Sequence, residues 1–252
     1  LPDVPNVDTP SLVDALDRNR RTRALVEELI ADPAQLGPDY QPVRRLTDDT
    51  VVGWKATGRG RPGTELADTL ALLGEAASLG LVERLDWAFR ALVFDQAVEA
   101  GIRETVHLTP EPQTYLSACP PRLAVSISRG RRELSVAAEV HDDALADLGL
   151  LERAVAEMRG WGWRVVLADV ADEPAGLRAV ELVRPDIVQV DLTRPGRAGA
   201  AAPARFVEAG LSVGAEVMAL GIDSPARRSE AVALGATLGR GLLLGTPGPL
   251  PV

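Results

Sequence analysis

The sequence predicts an α/β fold in which eight short strands close into a barrel walled by helices, opened by an antiparallel hairpin and preceded by an N-terminal helix. Three observations carry this expectation. From Thr105 onward, β-branched runs alternate with amphipathic stretches, the pattern of parallel strands joined by crossover helices. The first two apolar runs are joined instead by Thr47-Asp48-Asp49-Thr50, turn chemistry that makes them a hairpin. No Gly-x-Gly-x-x-Gly turn follows an early strand, which favours closure over an open doubly wound sheet.

Length and composition bound what such a chain does. Its 252 residues, 46% hydrophobic, suffice for one large core, and α/β barrels of this size commonly form one domain. A net charge of −9, from 27 Lys and Arg against 36 Asp and Glu, offers no basic surface for a polyphosphate backbone, so nucleic acid is not an expected partner. Cys119 is the single cysteine and closes no internal disulfide; with no histidine partner evident it reads as a packing residue. With no signal peptide and no apolar run of transmembrane length, the chain reads as cytoplasmic. It starts at Leu1 and not Met, as expected of an excised piece of something longer.

Taken in order, residues 1–10 are Pro-rich and read as linker; Ser11 offers an N-cap to a helix running to about Ala31, where Asp32-Pro33 stops it. Residues 1–36 are therefore expected to form a linker and helix, and residues 37–252 the barrel. Strands at Gln41–Arg45 and Val51–Trp54 follow, with Lys55-Ala56-Thr57 placed at the second strand's end, where barrels hold functional groups. Lys55 is the only lysine of the chain. Helices are expected at about Glu65–Leu79 and Val82–Ala100, parted by Gly80. Strands then fall at Thr105–Thr109, Leu134–Val140, Arg164–Asp169, Ile187–Leu192, Ser212–Met218 and Thr237–Leu243. The helices between them are placed after Pro110, at Ala144–Arg159, near Glu173–Val183, around Pro203–Ala209 and at Ser224–Leu234. Gly58-Arg-Gly60 and Gly239-Arg-Gly241 read as turns, not phosphate loops.

A resemblance is carried by Tyr40-Gln41-Pro42, Val51-Val52-Gly53-Trp54 with Lys55-Ala56-Thr57 and Arg59, the Leu85-Asp86-Trp87 helix, Glu111-Pro112, Pro185-Asp186-Ile187-Val188 with Asp191, and Leu234-Gly235-Ala236 before Gly239-Arg240-Gly241. In this order and spacing, from Tyr40 to Pro249, the chain resembles the EAL domain family. That resemblance implies a modified TIM-like (β/α)8 barrel that hydrolyses cyclic di-GMP to a linear dinucleotide, with a Glu-Ala-Leu triplet supplying a metal-binding carboxylate.

The metal and catalytic positions depart from the pattern. Lys55 stands where the resemblance places the triplet's glutamate, and Thr57 where it places the leucine. The family's strand-end asparagine falls on Thr109, or on His107 in the alternative register; the paired aspartates become Ala168-Asp169; a lysine becomes Gln189; a later glutamate becomes Leu220; and a glutamine becomes Arg240. Glu139 is kept, and a second acid is shortened to Asp142. Mg²⁺ and Mn²⁺ take oxygen donors, and two-metal hydrolysis needs several carboxylates, so neither metal is expected as a cofactor and Glu139 and Asp169 are expected to neutralise Lys55 and Arg240. The resemblance makes Gln41, Pro42 and Arg59 ligand contacts, with Lys55, Glu139, Asp169 and Arg240 beside them.

Two readings stay open for a pseudoenzyme of this kind: a signalling module working through a protein partner or an upstream sensor, or a receptor that binds cyclic di-GMP without hydrolysing it. A working phosphodiesterase is the disfavoured third. Family members often dimerise through helices beside the site, and Thr193–Ala204 looks short and loop-like there. His107 and His141 lack zinc spacing, Trp161 and Trp163 read as packing anchors, and Glu216 is expected to pair with an arginine unless it points into the barrel.

Overall fold

In the computed structural model the hairpin that opens the barrel consists of β1 (Asp39–Arg45) and β2 (Val51–Thr57), paired antiparallel from Asp39 opposite Thr57 to Arg44 opposite Val51, with a register slip between Val43 and Arg44. The structure describes residues 12–141, 144, 146–168, 174–193 and 202–251. The strands β3 (Thr105–Leu108), β4 (Val136–Val140), β5 (Arg164–Ala168), β6 (Ile187–Asp191), β7 (Glu216–Leu220) and β8 (Leu238–Gly239) follow in chain order, each parallel to the one before it. β8 closes the barrel antiparallel to β1, Arg44 opposite Gly239 and Arg45 opposite Leu238. This is the expected barrel, antiparallel first strand included, and α1 (Leu12–Ala31) precedes it.

The outer wall comprises α2 (Thr69–Ser78), α3 (Val82–Glu99), α4 (Ala124–Glu133), α5 (Leu148–Gly160), α6 (Pro174–Val183), α7 (Ala202–Ser212) and α8 (Pro225–Ala233). Several boundaries differ from the expected ones, each for a local reason. α2 starts at Thr69 and not near Glu65, because the Asp68 carboxylate accepts from the Leu70 and Ala71 amides and caps the helix there. α5 starts at Leu148 and not Ala144, because Asp147 caps it through the Leu150 amide. After Pro110 the prolines permit only 3₁₀ turns, Pro112–Thr114 and Pro121–Leu123, before α4 begins. β8 ends at Gly239 and does not run to Leu243, since the chain at Gly241 lies so close to Ile222 that a Cβ would stand 2.3 Å from its backbone nitrogen. β2 runs through Thr57, so Lys55 lies within the strand and not beyond it.

Side chains alternate across each strand, and the inward ones form a stack. Val43, Ala137, Val166, Ile187, Met218 and Leu238 pack as an apolar floor. Outward residues such as Val106, Val165, Val188 and Val217 pack against the helices. The second half of α1 belongs to this shell: Val26, Leu29 and Ile30 are fully buried in one cluster with Leu72 of α2 and Leu85 of α3. Trp163 is buried with Trp161 edge-on at 4.9 Å, and the Arg131 guanidinium covers Trp161 at 3.6 Å, so the pair is a packing corner. Glu216 is exposed and takes a hydrogen bond from Arg164 at 2.8 Å, the expected arginine pairing; two residues before the inward Met218, it stands on that same face of β7, at the open end below the floor. Ser11 and the 1–10 linker lie outside the described residues, as do Asp142, Asp169 and most of the Thr193–Ala204 segment. No helix among the described residues is long and apolar enough to cross a membrane.

Candidate ligand site at the barrel mouth

A two-residue step up the inward face of the strands leads from the apolar floor to a mouth that mixes polar Glu139 and Gln189 with aliphatic Ala168 and Leu220. Glu139 follows Ala137 on β4, Ala168 follows Val166 on β5, Gln189 follows Ile187 on β6, and Leu220 follows Met218 on β7; Arg240 follows Leu238 just past β8. At the centre, Lys55 Nζ lies 2.6 Å from Glu139 Oε2, both groups buried, and also donates to the Thr109 hydroxyl. Arg240 Nη1 stands 4.0 Å from the other oxygen, Glu139 Oε1, and His107 Nδ1 is 3.5 Å from that same oxygen.

These contacts set the protonation states. Burial alone pushes the Glu139 carboxyl up, but the Lys55 ammonium, then Arg240 and His107, outweigh it and hold Glu139 well below the usual carboxylate range. Burial pushes His107 below the usual histidine value, with Lys55 and Arg240 adding to the effect against the opposing pull of Glu139. His107 is therefore a neutral ring inside a charged cluster, not an ordinary surface histidine. Neither atom of the buried Gln189 amide has a hydrogen-bond partner among the described residues.

Two openings flank Lys55. A groove of about 340 Å³ runs over the mouth, lined by Gln41, Thr57, Leu220 and Arg240 and also by the carboxylates of Asp191 and Asp223. A cavity of about 220 Å³ lies between β2 and helices α2 and α3, walled by Leu36, Ala56, Leu72 and Phe89, with Asp86 and Glu111 supplying carboxylates. Asp86 is tied to Arg90 and accepts from Thr114 Oγ1 at 2.7 Å.

The sequence-derived candidates divide accordingly. Gln41, Lys55, Leu220 and Arg240 line the groove, and Gln41 is oriented by donating to the Gly245 carbonyl at 3.0 Å. Thr109 shares the cavity rim with Lys55. Ala168 and Gln189 are fully buried neighbours in register on β5 and β6. Pro42 is buried on the opposite face of β1 from Gln41, packed against Gly245, and Arg59 pairs with Asp39; neither lines the groove or the cavity. Sequence reasoning missed the cavity and the place of His107 in the cluster. The available signal was α3 itself, which carries Asp86 and Arg90 one turn apart among Leu85, Trp87, Ala88, Ala91 and Val93.

Residues 22–247 match the EAL domain family. The chain belongs to that family. Solved EAL domains share its fold: that of Xanthomonas citri FimX in complex with c-diGMP aligns at 16% identity over 94% of this chain and 96% of that one, TM-score 0.78. The EAL domain of FimX from Pseudomonas aeruginosa, bound to c-di-GMP, aligns at 14% identity over 91% of this chain and 97% of that one, TM-score 0.75. Bacillus subtilis YkuI, in complex with c-di-GMP and calcium, aligns at 16% identity over 90% of this EAL domain and 59% of that chain, TM-score 0.68. No curated protein matches. Among the described residues of this EAL domain, no group of three or more His, Cys, Asp or Glu side chains gathers as a metal site would require.

Proposed function

We propose that this EAL domain is a receptor for cyclic di-GMP that neither hydrolyses the dinucleotide nor needs a divalent ion to hold it. One observation carries the reading: the Lys55 ammonium lies 2.6 Å from the buried Glu139 carboxylate, the one acid of the expected metal set among the described residues. Mg²⁺ demands near-octahedral oxygen coordination, and in-line hydrolysis needs ions about 3.5–4 Å apart that lower the pKa of a bound water. Here the groups around Glu139 are an ammonium, a guanidinium and a hydroxyl, with Leu220 and Ala168 on the neighbouring inward positions. A divalent ion fits this donor set poorly, because two fixed cations repel it and the aliphatic positions offer it no oxygen.

The same arrangement suits an anion. Lys55 and Arg240 present positive charge where the groove crosses the barrel, and a guanidinium fork matches the geometry of a phosphate. Gln41 adds a fixed amide, and the apolar walls of the adjacent cavity, Phe89 among them, accept a flat base. The two FimX EAL domains bound to cyclic di-GMP add weight to this ligand. Incubation with cyclic di-GMP and either Mg²⁺ or Mn²⁺, followed by chromatography, is expected to return the cyclic dinucleotide intact. Calorimetry is expected to give the same affinity in Mg²⁺ and in chelator. Metal-dependent release of linear dinucleotide would overturn the first half of the proposal, and absence of heat at high ligand concentration the second.

A further inference from the structure

We infer that helix α1 holds open the cavity beside Lys55, so that filling the cavity with a flat ring and seating α1 on the barrel are linked events. The dinucleotide arm of the test below rests on the receptor reading; the benzene arm does not. The cavity lies on the seam between two separately packed cores. On one side is the barrel wall, where Lys55, Ala56 and Thr57 of β2 line it and Ala56 belongs to the barrel cluster. On the other side are Leu36, Leu72 and Leu85, which line it and are buried in one cluster with Val26, Leu29 and Ile30 of α1. Phe89 packs against both clusters and also lines the space. Its ring lies so close over Gly58 that a Cβ there would stand 3.2 Å away.

An empty apolar space forfeits the dispersion contacts its walls would otherwise make, so the walls close it unless they are held. The hold comes from α1. Arg122 Nη1 donates to the Ile30 carbonyl at 2.8 Å, and Arg61 Nη2 lies 2.6 Å from Glu28 Oε1. Arg23 Nη2 donates to the Leu79 carbonyl, just past the end of α2, at 3.3 Å. These ties fix the second half of the helix, while residues 16–21 stand exposed ahead of it. Lifting α1 away uncovers the outer sides of Leu36, Leu72 and Leu85, which regain burial by folding into the cavity. By linkage, a ring in the cavity resists that collapse and tightens the seat of α1 by the same free energy.

Benzene tests the linkage without any dinucleotide, because apolar cavities bind it. In the full chain, benzene titration followed by amide NMR is expected to shift residues 56–58, 72–73 and 85–89, which border the cavity. With benzene at about four times its dissociation constant, hydrogen exchange in residues 26–31 is expected to slow about fivefold, the mass-action factor for an opening that empties the cavity. Helix α6, which lines no part of the cavity, is expected to keep its rate. No shift at the cavity amides, or shifts with exchange in 26–31 unchanged, overturns the inference. Leu29→Asp places a carboxylate in the α1 cluster and is expected to free the helix and abolish the benzene shifts, with the β4 to β6 amides still protected. Benzene shifts of the parent size with α1 exchanging freely refute the hold of α1 on the cavity; should that variant not fold, the parent-chain result decides. Cyclic di-GMP is expected to slow 26–31 as benzene does. Slowing by benzene with none by cyclic di-GMP sinks the receptor reading of the cavity and leaves its linkage to α1 standing.

Discussion

The floor and the mouth of this barrel use the same inward strand positions two residues apart, and opposite physics holds them. The floor, Val43, Ala137, Val166, Ile187, Met218 and Leu238, is stabilised by removal of apolar area from water and by close packing. The mouth is a charged cluster in which two cations, Lys55 and Arg240, face the one buried carboxylate of Glu139. A floor residue therefore tolerates small changes of size, whereas a mouth residue tolerates none of charge.

Breaking the mouth is expected to have the largest effect. Lys55→Met leaves a buried carboxylate without its ammonium and is expected to cost about 3–5 kcal/mol in urea unfolding at neutral pH. Adding Glu139→Gln in the same chain recovers most of that loss. A single mutant as stable as the parent would mean that Glu139 is solvated and the pair unimportant.

Next in size is Gln189, whose amide atoms find no hydrogen-bond partner among the described residues, on a wall that is otherwise apolar below and beside it. Gln189→Leu removes two buried polar atoms and is expected to stabilise the fold by about 1–3 kcal/mol, read from the denaturation midpoint. A loss of stability instead would show that the amide is engaged by solvent or by a neighbouring group.

Acid sharpens the same contrast. The His107 ring is held below its ordinary value by burial, so the unfolded chain takes up a proton before the folded one does. Stability is then lost as pH falls through the unfolded value near 6.5, with a slope of at most about 1.4 kcal/mol per pH unit. Glu139 adds a second loss at lower pH: its folded value is depressed, so its contribution is present above the ordinary carboxylate range and disappears as pH falls toward the folded value. His107→Gln is expected to flatten the upper part of the profile and keep the lower. An unchanged slope between pH 5 and 7 would show that another group titrates there.

The floor supplies the smallest effect. Ile187→Val is expected to cost about 0.5–1.5 kcal/mol, with the same pH profile as the parent. As for activity, Lys55→Glu alone is expected to give no hydrolysis, because Ala168 and Leu220 still supply no carboxylate and Gln189 no positive charge; measurable linear product would contradict this.

Much of this contrast was legible in the sequence. The barrel followed from β–α alternation plus one hairpin, because both periods are written in the spacing of apolar residues. The pairing of Glu139 with Lys55 and Arg240 was expected because the strands carry all three to the same end of the barrel. Helix starts were misplaced where a single aspartate, Asp68 or Asp147, decides the cap, since the residues before each cap read equally well as helix. The cavity beside Lys55 was not legible, because its walls come from β2, α2, α3 and the turn after α1, which only closure of the barrel brings together. For the same reason Arg59 was assigned to the ligand with no sight of its engagement by Asp39 and Gly37.

The central claim is that an ammonium stands on Glu139 where a divalent ion would have to coordinate. Titration of Mn²⁺ into the protein, followed by electron paramagnetic resonance of the free ion, tests it most directly. The account predicts that the free-ion signal rises in proportion to added metal, in the parent chain and in Glu139→Gln alike. A stoichiometric loss of signal in the parent that vanishes in Glu139→Gln would contradict it.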